Sequence, residues 1–350
     1  MRRFTVNTML VVVGLVLVVS VLGAQADDPE KLFLNALSEK DPQIKLEKLV
    51  RYEQQYGKQA GALSKLLYAN LVLAAYPLKD YEKTVNYGGK ALALEGHDAM
   101  TRMKLCLYVS TSLLLLERDV PQALVLAEEA YSHGKKFFTE SADPYYRNQF
   151  VIPALKNQIV ALKAGGEPDQ LQSAFRKAQE LYALDPSPVA LQLLCDSGNQ
   201  LQKAGQAEEP IAVFENLLSK RPQPEIARRL AIWLDAQSQR PKAIEYLQLS
   251  YHLDRKARTA YELAILLQAD NPPLAMEYLA ESFILNDPAV SPRSEEVLRQ
   301  LFVNSPAAKL KPKDMEKAYE DILNAARARI QANEYPPAAP APAAETPTPQ

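Results

Sequence analysis

The chain has 350 residues, 47% of them hydrophobic, which is enough to bury two cores or one extended array. Its 40 Lys and Arg are balanced by 42 Asp and Glu, so the basic excess that grips a phosphate backbone is missing and nucleic acid is not expected as a partner. Only 12 glycines occur, and the wealth of Leu, Ala, Glu and Lys favours helix over sheet.

Residues 1–26 have the pattern of a secretory signal peptide. Arg2 and Arg3 form a positive start, Met9 to Leu22 is an uncharged apolar run, and Ala24-Gln25-Ala26 offers small residues where a signal peptidase cuts. Cleavage is expected after Ala26, giving an exported, periplasmic or secreted protein. Membrane attachment is expected only if this segment stays uncleaved, and the run is short for a spanning helix, which needs about 20 residues. An exported chain is permitted a disulfide, but Cys106 and Cys195 lie two or more repeats apart in apolar helical text. Both are expected to be small buried side chains.

Residues 27–58 are expected to form a divergent helix pair. Pro29 and Pro42 each follow an aspartate and suit the first turn of a helix. From 59 to 287 one phrase recurs about every 34 residues: an apolar helix, a short turn, a second amphipathic helix, a break. Six units are expected, pairing Ala62–Tyr76 with Tyr81–Leu94, Ala99–Leu116 with Pro121–Tyr131, Tyr145–Ala164 with Pro168–Leu184, Val189–Ala204 with Pro210–Leu218, Pro224–Gln237 with Pro241–Leu253, and Ala257–Ala269 with Pro273–Leu285. In five of them a proline falls in the first turn of the second helix, where no N–H is needed and the ring presets φ. Ser132 to Pro144 is expected to be a long connection, and the helix containing Pro210 is expected to start late.

Within the fourth unit, Leu194, Gly198, Leu201, Gly205, Phe214, Leu217 and Pro222 stand in the order of a tetratricopeptide repeat, and the third closes on Leu184-Asp185-Pro186. About two thirds of the chain resembles this superfamily, and with its leader the chain is similar to exported bacterial proteins that contain such repeats. The resemblance implies an all-α fold, an α-solenoid of stacked antiparallel helix hairpins wound as a superhelix. It also implies a binding scaffold, with many unrelated partners known for the fold.

Residues 288–335 are expected to close the array with capping helices at Glu295–Phe302 and Lys313–Ile330. Residues 336–350 contain only Pro, Ala, Thr, Glu and Gln, and are expected to form a disordered tail.

No catalytic constellation is visible. His97, His133 and His252 are dispersed without metal-ligand spacing, Gly88-Gly89 and Gly165-Gly166 lack a following phosphate-loop Lys-Thr, and Asp196-Ser197-Gly198 lacks the frame of a nucleophile elbow. No enzyme activity, cofactor or metal is expected. The 17 tyrosines are read as fillers between repeat helices rather than as a sugar-stacking surface.

The resemblance turns the first helices toward a groove, and the positions facing it hold Gln192, Asn199, Gln202, Lys203, Arg228, Asp235, Arg258, Tyr261 and Gln268. These polar groups would suit a protein or extended peptide. The expected function is a non-catalytic scaffold of the cell envelope. The alternatives are a structural or tethering envelope protein, or an accessory subunit of an envelope export or assembly machine.

Overall fold

The structure, a computed structural model, describes residues 28–336. The leader expected at 1–26, and all of the tail expected at 336–350 except Pro336, lie outside the described residues. Among the described residues the regular structure is helical throughout. Packing divides the described residues into two compact units, one up to residue 187 and one from residue 188. No described helix is long and apolar enough to cross a membrane.

In the first unit, α1 (Pro29–Ser38) and α2 (Pro42–Tyr56) pack as a pair. Each has an aspartate before its first proline: Asp28 accepts from the Glu30 N–H, and Asp41 from those of Gln43 and Ile44. These local bonds satisfy orphan donors of the first turn. Next come α3 (Ser64–Ala75), α4 (Tyr81–Leu92), α5 (Ala99–Leu115) and α6 (Val120–Ser141). Asp80, Asp98 and Asp119 cap the last three in the same manner. Each helix packs on the next, and α3 also touches α5. A single hairpin cannot cover its own apolar face, and this stacking supplies the cover.

Two glycines set close approaches. A Cβ on Gly88 would stand 2.2 Å from Val109 Cγ2, so α4 and α5 meet there without room for a methyl group. A Cβ on Gly134 would stand 3.0 Å from Phe150 Cβ.

The second contact accounts for a correction. The long connection expected from Ser132 to Pro144 does not exist, because α6 runs unbroken to Ser141. Gly134 lies inside that helix, and its missing side chain admits the following element: α7 (Pro144–Tyr146), a π-helical turn at Arg147–Val151, and α8 (Ile152–Gly165). α9 (Pro168–Leu184) completes the unit against α8.

The second unit contains α10 (Pro188–Lys203), α11 (Glu208–Lys220), α12 (Pro224–Ala236), α13 (Arg240–Leu253), α14 (Ala257–Leu267) and α15 (Pro272–Ile284). The late start expected near Pro210 is also corrected: α11 begins at Glu208, with Pro210 buried in its first turn. The absent N–H costs nothing at that position.

One contact recurs within successive hairpins. Ser250 Oγ on α13 donates to the Pro224 carbonyl at the start of α12, at 2.8 Å, and Ser282 Oγ on α15 donates to the Ala257 carbonyl at the start of α14, at 2.7 Å. Each serine ties the end of a second helix to the beginning of its own first helix. The core between them is aromatic: Phe214 meets Trp233 edge-on at 4.5 Å, and Tyr251 meets Tyr278 at 5.7 Å. All four side chains are fully buried.

The closing helices are present and slightly longer than expected, as α16 (Ser291–Val303) and α17 (Pro312–Ala332), and both pack on α15. Each unit is thus an all-α, solenoid-like stack of hairpins held in chain order.

Candidate protein-binding face

The nine polar residues singled out from the sequence all belong to the second unit, on or directly after α10, α12 and α14. They divide into residues that brace the stack and residues that face solvent.

Asn199 and Arg228 are braces. Trp233 Nε1 on α12 donates to Asn199 Oδ1 on α10 at 2.7 Å, satisfying the indole of a fully buried ring. Arg228 is 7% exposed, and its Nε and Nη2 donate to the two carboxylate oxygens of Glu262 on α14, each at 2.7 Å. Glu225 adds a longer contact to Arg228 at 3.4 Å and accepts from Arg229 Nε at 2.9 Å. Burial works against the Arg228 charge, yet the Glu262 carboxylate outweighs it and holds the guanidinium above its ordinary range. Arg228 was expected to present its donors to a partner; the structure instead commits them to the neighbouring hairpin. The signal for both braces was in the sequence, since Asn199–Trp233 and Arg228–Glu262 are each separated by 34 residues, one repeat length.

The exposed side chains are Gln192, Lys203, Arg258 and Gln268, while Gln202, Asp235 and Tyr261 are half-buried. Gln192 bonds to Asp196 one turn on, at 2.8 Å. Asp235 pairs with Arg240 at 3.8 Å, and Arg258 reaches the outer edge of Glu262 at 3.3 Å, with 63% of its side chain still exposed. Ion pairs of such exposure contribute little to stability, so these groups can exchange partners at small cost.

Ser197 is buried and donates to the Leu193 carbonyl within its own helix at 2.8 Å. Cys106 and Cys195 are free and buried, and burial above all pushes each thiol up to about 12. Among the described residues no group of three or more His, Cys, Asp or Glu is placed to hold a metal ion.

The first unit has a separate groove of about 440 Å³ between α4 and α6, floored by Val109 and Leu113 of α5. Arg102 and Glu129 stand at its end, paired through bonds of 2.6 and 3.1 Å. The rest of its lining is more apolar than polar.

No family model matches the chain, and no curated protein matches it. Among solved structures, a thermophilic tetratricopeptide repeat protein of Thermus thermophilus is similar at 16% identity and a TM-score of 0.28, over 58% of this chain and 98% of that one. A tetratricopeptide repeat protein from Parabacteroides merdae is similar at 12% identity and a TM-score of 0.36, over 85% of this chain and 98% of that one.

Proposed function

We propose that this protein is a non-catalytic scaffold which binds a protein or peptide partner through the polar strip of α10, α12 and α14. The observation that carries the reading is the division of labour on those helices. Asn199 and Arg228 hold successive first helices together, which leaves Gln192, Gln202, Lys203, Arg258, Tyr261 and Gln268 as a row of donors and acceptors on rigid supports. Preorganised polar groups on packed helices lose little entropy when a partner binds. The cell envelope is proposed as the setting, on the strength of Arg2-Arg3, the apolar run and Ala24-Gln25-Ala26.

The test is charge reversal at Arg258, which bears on the surface, set beside the same change at Glu245, an exposed residue on α13. Arg258→Glu should weaken recovery of the partner from an envelope extract while Glu245→Lys leaves it unchanged. Equal recovery by both variants would rule out the strip as the binding face. Arg228 is unsuited to this experiment, because reversing it breaks a brace.

The tethering alternative is supported by one observation: the chain is fastened as far as Pro336, which is buried, immediately before the Pro/Ala-rich residues. Deleting residues 337–350 would displace a tether from the envelope and leave a simple scaffold in place.

A further inference from the structure

The last described residues are held like a bound ligand. α17 ends at Asn333, whose φ of +55° is the left-handed conformation that asparagine tolerates, and the chain there turns back toward α13. Arg255, just beyond the end of α13, meets it. Its Nη1 donates to the Arg329 carbonyl at 3.3 Å and its Nη2 to the Glu334 carbonyl, while its guanidinium carbon lies 4.1 Å from the centre of the Tyr335 ring. The Tyr335 hydroxyl donates to the His252 carbonyl at 3.3 Å. Its ring stands edge-on to Tyr251 at 5.7 Å and to His252 at 4.4 Å, and Pro336 is buried after it.

A buried acid stands behind these contacts. Glu281 on α15 is fully buried, accepts from the Tyr251 hydroxyl and from Arg329 Nε at 2.8 Å, and lies 3.9 Å from Arg255 Nε. Glu277 pairs with Arg329 at 3.4 Å. One buried carboxylate therefore bonds the Tyr251 hydroxyl and Arg329, and its charge faces Arg255. Main-chain carbonyls held by a guanidinium, an aromatic ring in an aromatic corner and a buried proline are the means by which peptides are recognised.

We propose that Tyr251, His252 and Arg255 form a peptide-binding site, occupied in cis by Glu334-Tyr335-Pro336, that accepts a tyrosine-proline peptide in trans once the chain's own segment is released. The site is separate from the first-helix strip and stands or falls independently of it. Tethering gives the internal segment a high effective concentration, so an external peptide competes poorly with the intact chain.

The test uses the full chain and a fluorescent synthetic peptide of residues 331–340, followed by anisotropy. With Tyr335→Ala and Pro336→Ala combined, the peptide should bind saturably and at least tenfold more tightly than to the unaltered chain, and adding Arg255→Ala should abolish binding. The same peptide with alanine for tyrosine should not bind. Absence of binding to the double variant, with helix content unchanged, would overturn the proposal, as would equal binding with and without Arg255. Should the double variant unfold, hydrogen exchange on the single variants decides: Tyr335→Ala should speed exchange in the last turn of α17 at least tenfold, and Tyr335→Phe less than threefold. Unchanged exchange in both would also overturn it.

Discussion

Arg228 and Glu262 stand 34 residues apart in the chain and meet through two parallel hydrogen bonds of 2.7 Å, joining α12 to α14. A bidentate pair has both direction and register, so it fixes how one hairpin sits on the next. Arg228→Ala leaves the Glu262 carboxylate facing a buried gap. Loss of one partner from a buried pair costs roughly 3–5 kcal/mol, and the remaining contact from Arg258 places this case at the lower end. Urea unfolding measures it. Replacing both residues by Met and Leu should cost less than Arg228→Ala alone, because the unpaired charge is then absent.

Gly88 tests the packing of the first unit. Gly88→Ala puts a methyl group 2.2 Å from Val109 Cγ2, and overpacking of this kind costs about 1–3 kcal/mol. Val109→Ala removes the obstructing methyl, so the double variant should recover most of what Gly88→Ala alone loses. Gly89, with nothing near its added Cβ, should accept alanine without loss. Thermal unfolding of the four chains makes the comparison.

The two thiols predict a pH dependence. Burial, first among the causes, pushes Cys106 and Cys195 from 9.0 to about 12. A folded value above the unfolded one means that the unfolded chain gives up its proton first. The thiols' stabilising contribution is therefore complete below about pH 9 and is lost as pH rises toward about 12. Each should lower stability by up to about 1.4 kcal/mol per pH unit in that window. Tyr251 and Tyr278, raised chiefly by burial, act in the same direction. Comparing urea unfolding at pH 8 and pH 10 with that of the Cys106→Ala, Cys195→Ala chain isolates the thiols, whose removal should flatten the slope. In the folded protein neither thiol should react with a disulfide reagent at pH 8.

Helix starts were legible because their chemistry is local. Asp28-Pro29, Asp41-Pro42 and Asp80 each cap a helix with atoms two or three residues away. The extent of α6 was not, since Ser132 to Pro144 reads as a connection until Phe150, 16 residues beyond Gly134, is seen to need the space that glycine leaves. The role of Arg228 was legible only by comparing two successive repeats. Position on a first helix marks it as a groove residue, and only its alignment with Glu262 in the next repeat turns it inward. The Glu281 cluster lay further out of reach, joining α15 to Arg329, 48 positions along the chain. Repetition reports contacts between equivalent positions, whereas the cap is the part that does not repeat.

The most direct test of the binding face is site-specific photo-crosslinking in intact cells. A photoreactive residue is placed singly at Gln202, Lys203, Arg258 and Gln268, and for contrast at Glu245 and Lys220 on the second helices. One common crosslinked partner is expected from the first four positions and none from the other two. A partner captured from Glu245 or Lys220 and absent from the first-helix strip would contradict the assignment.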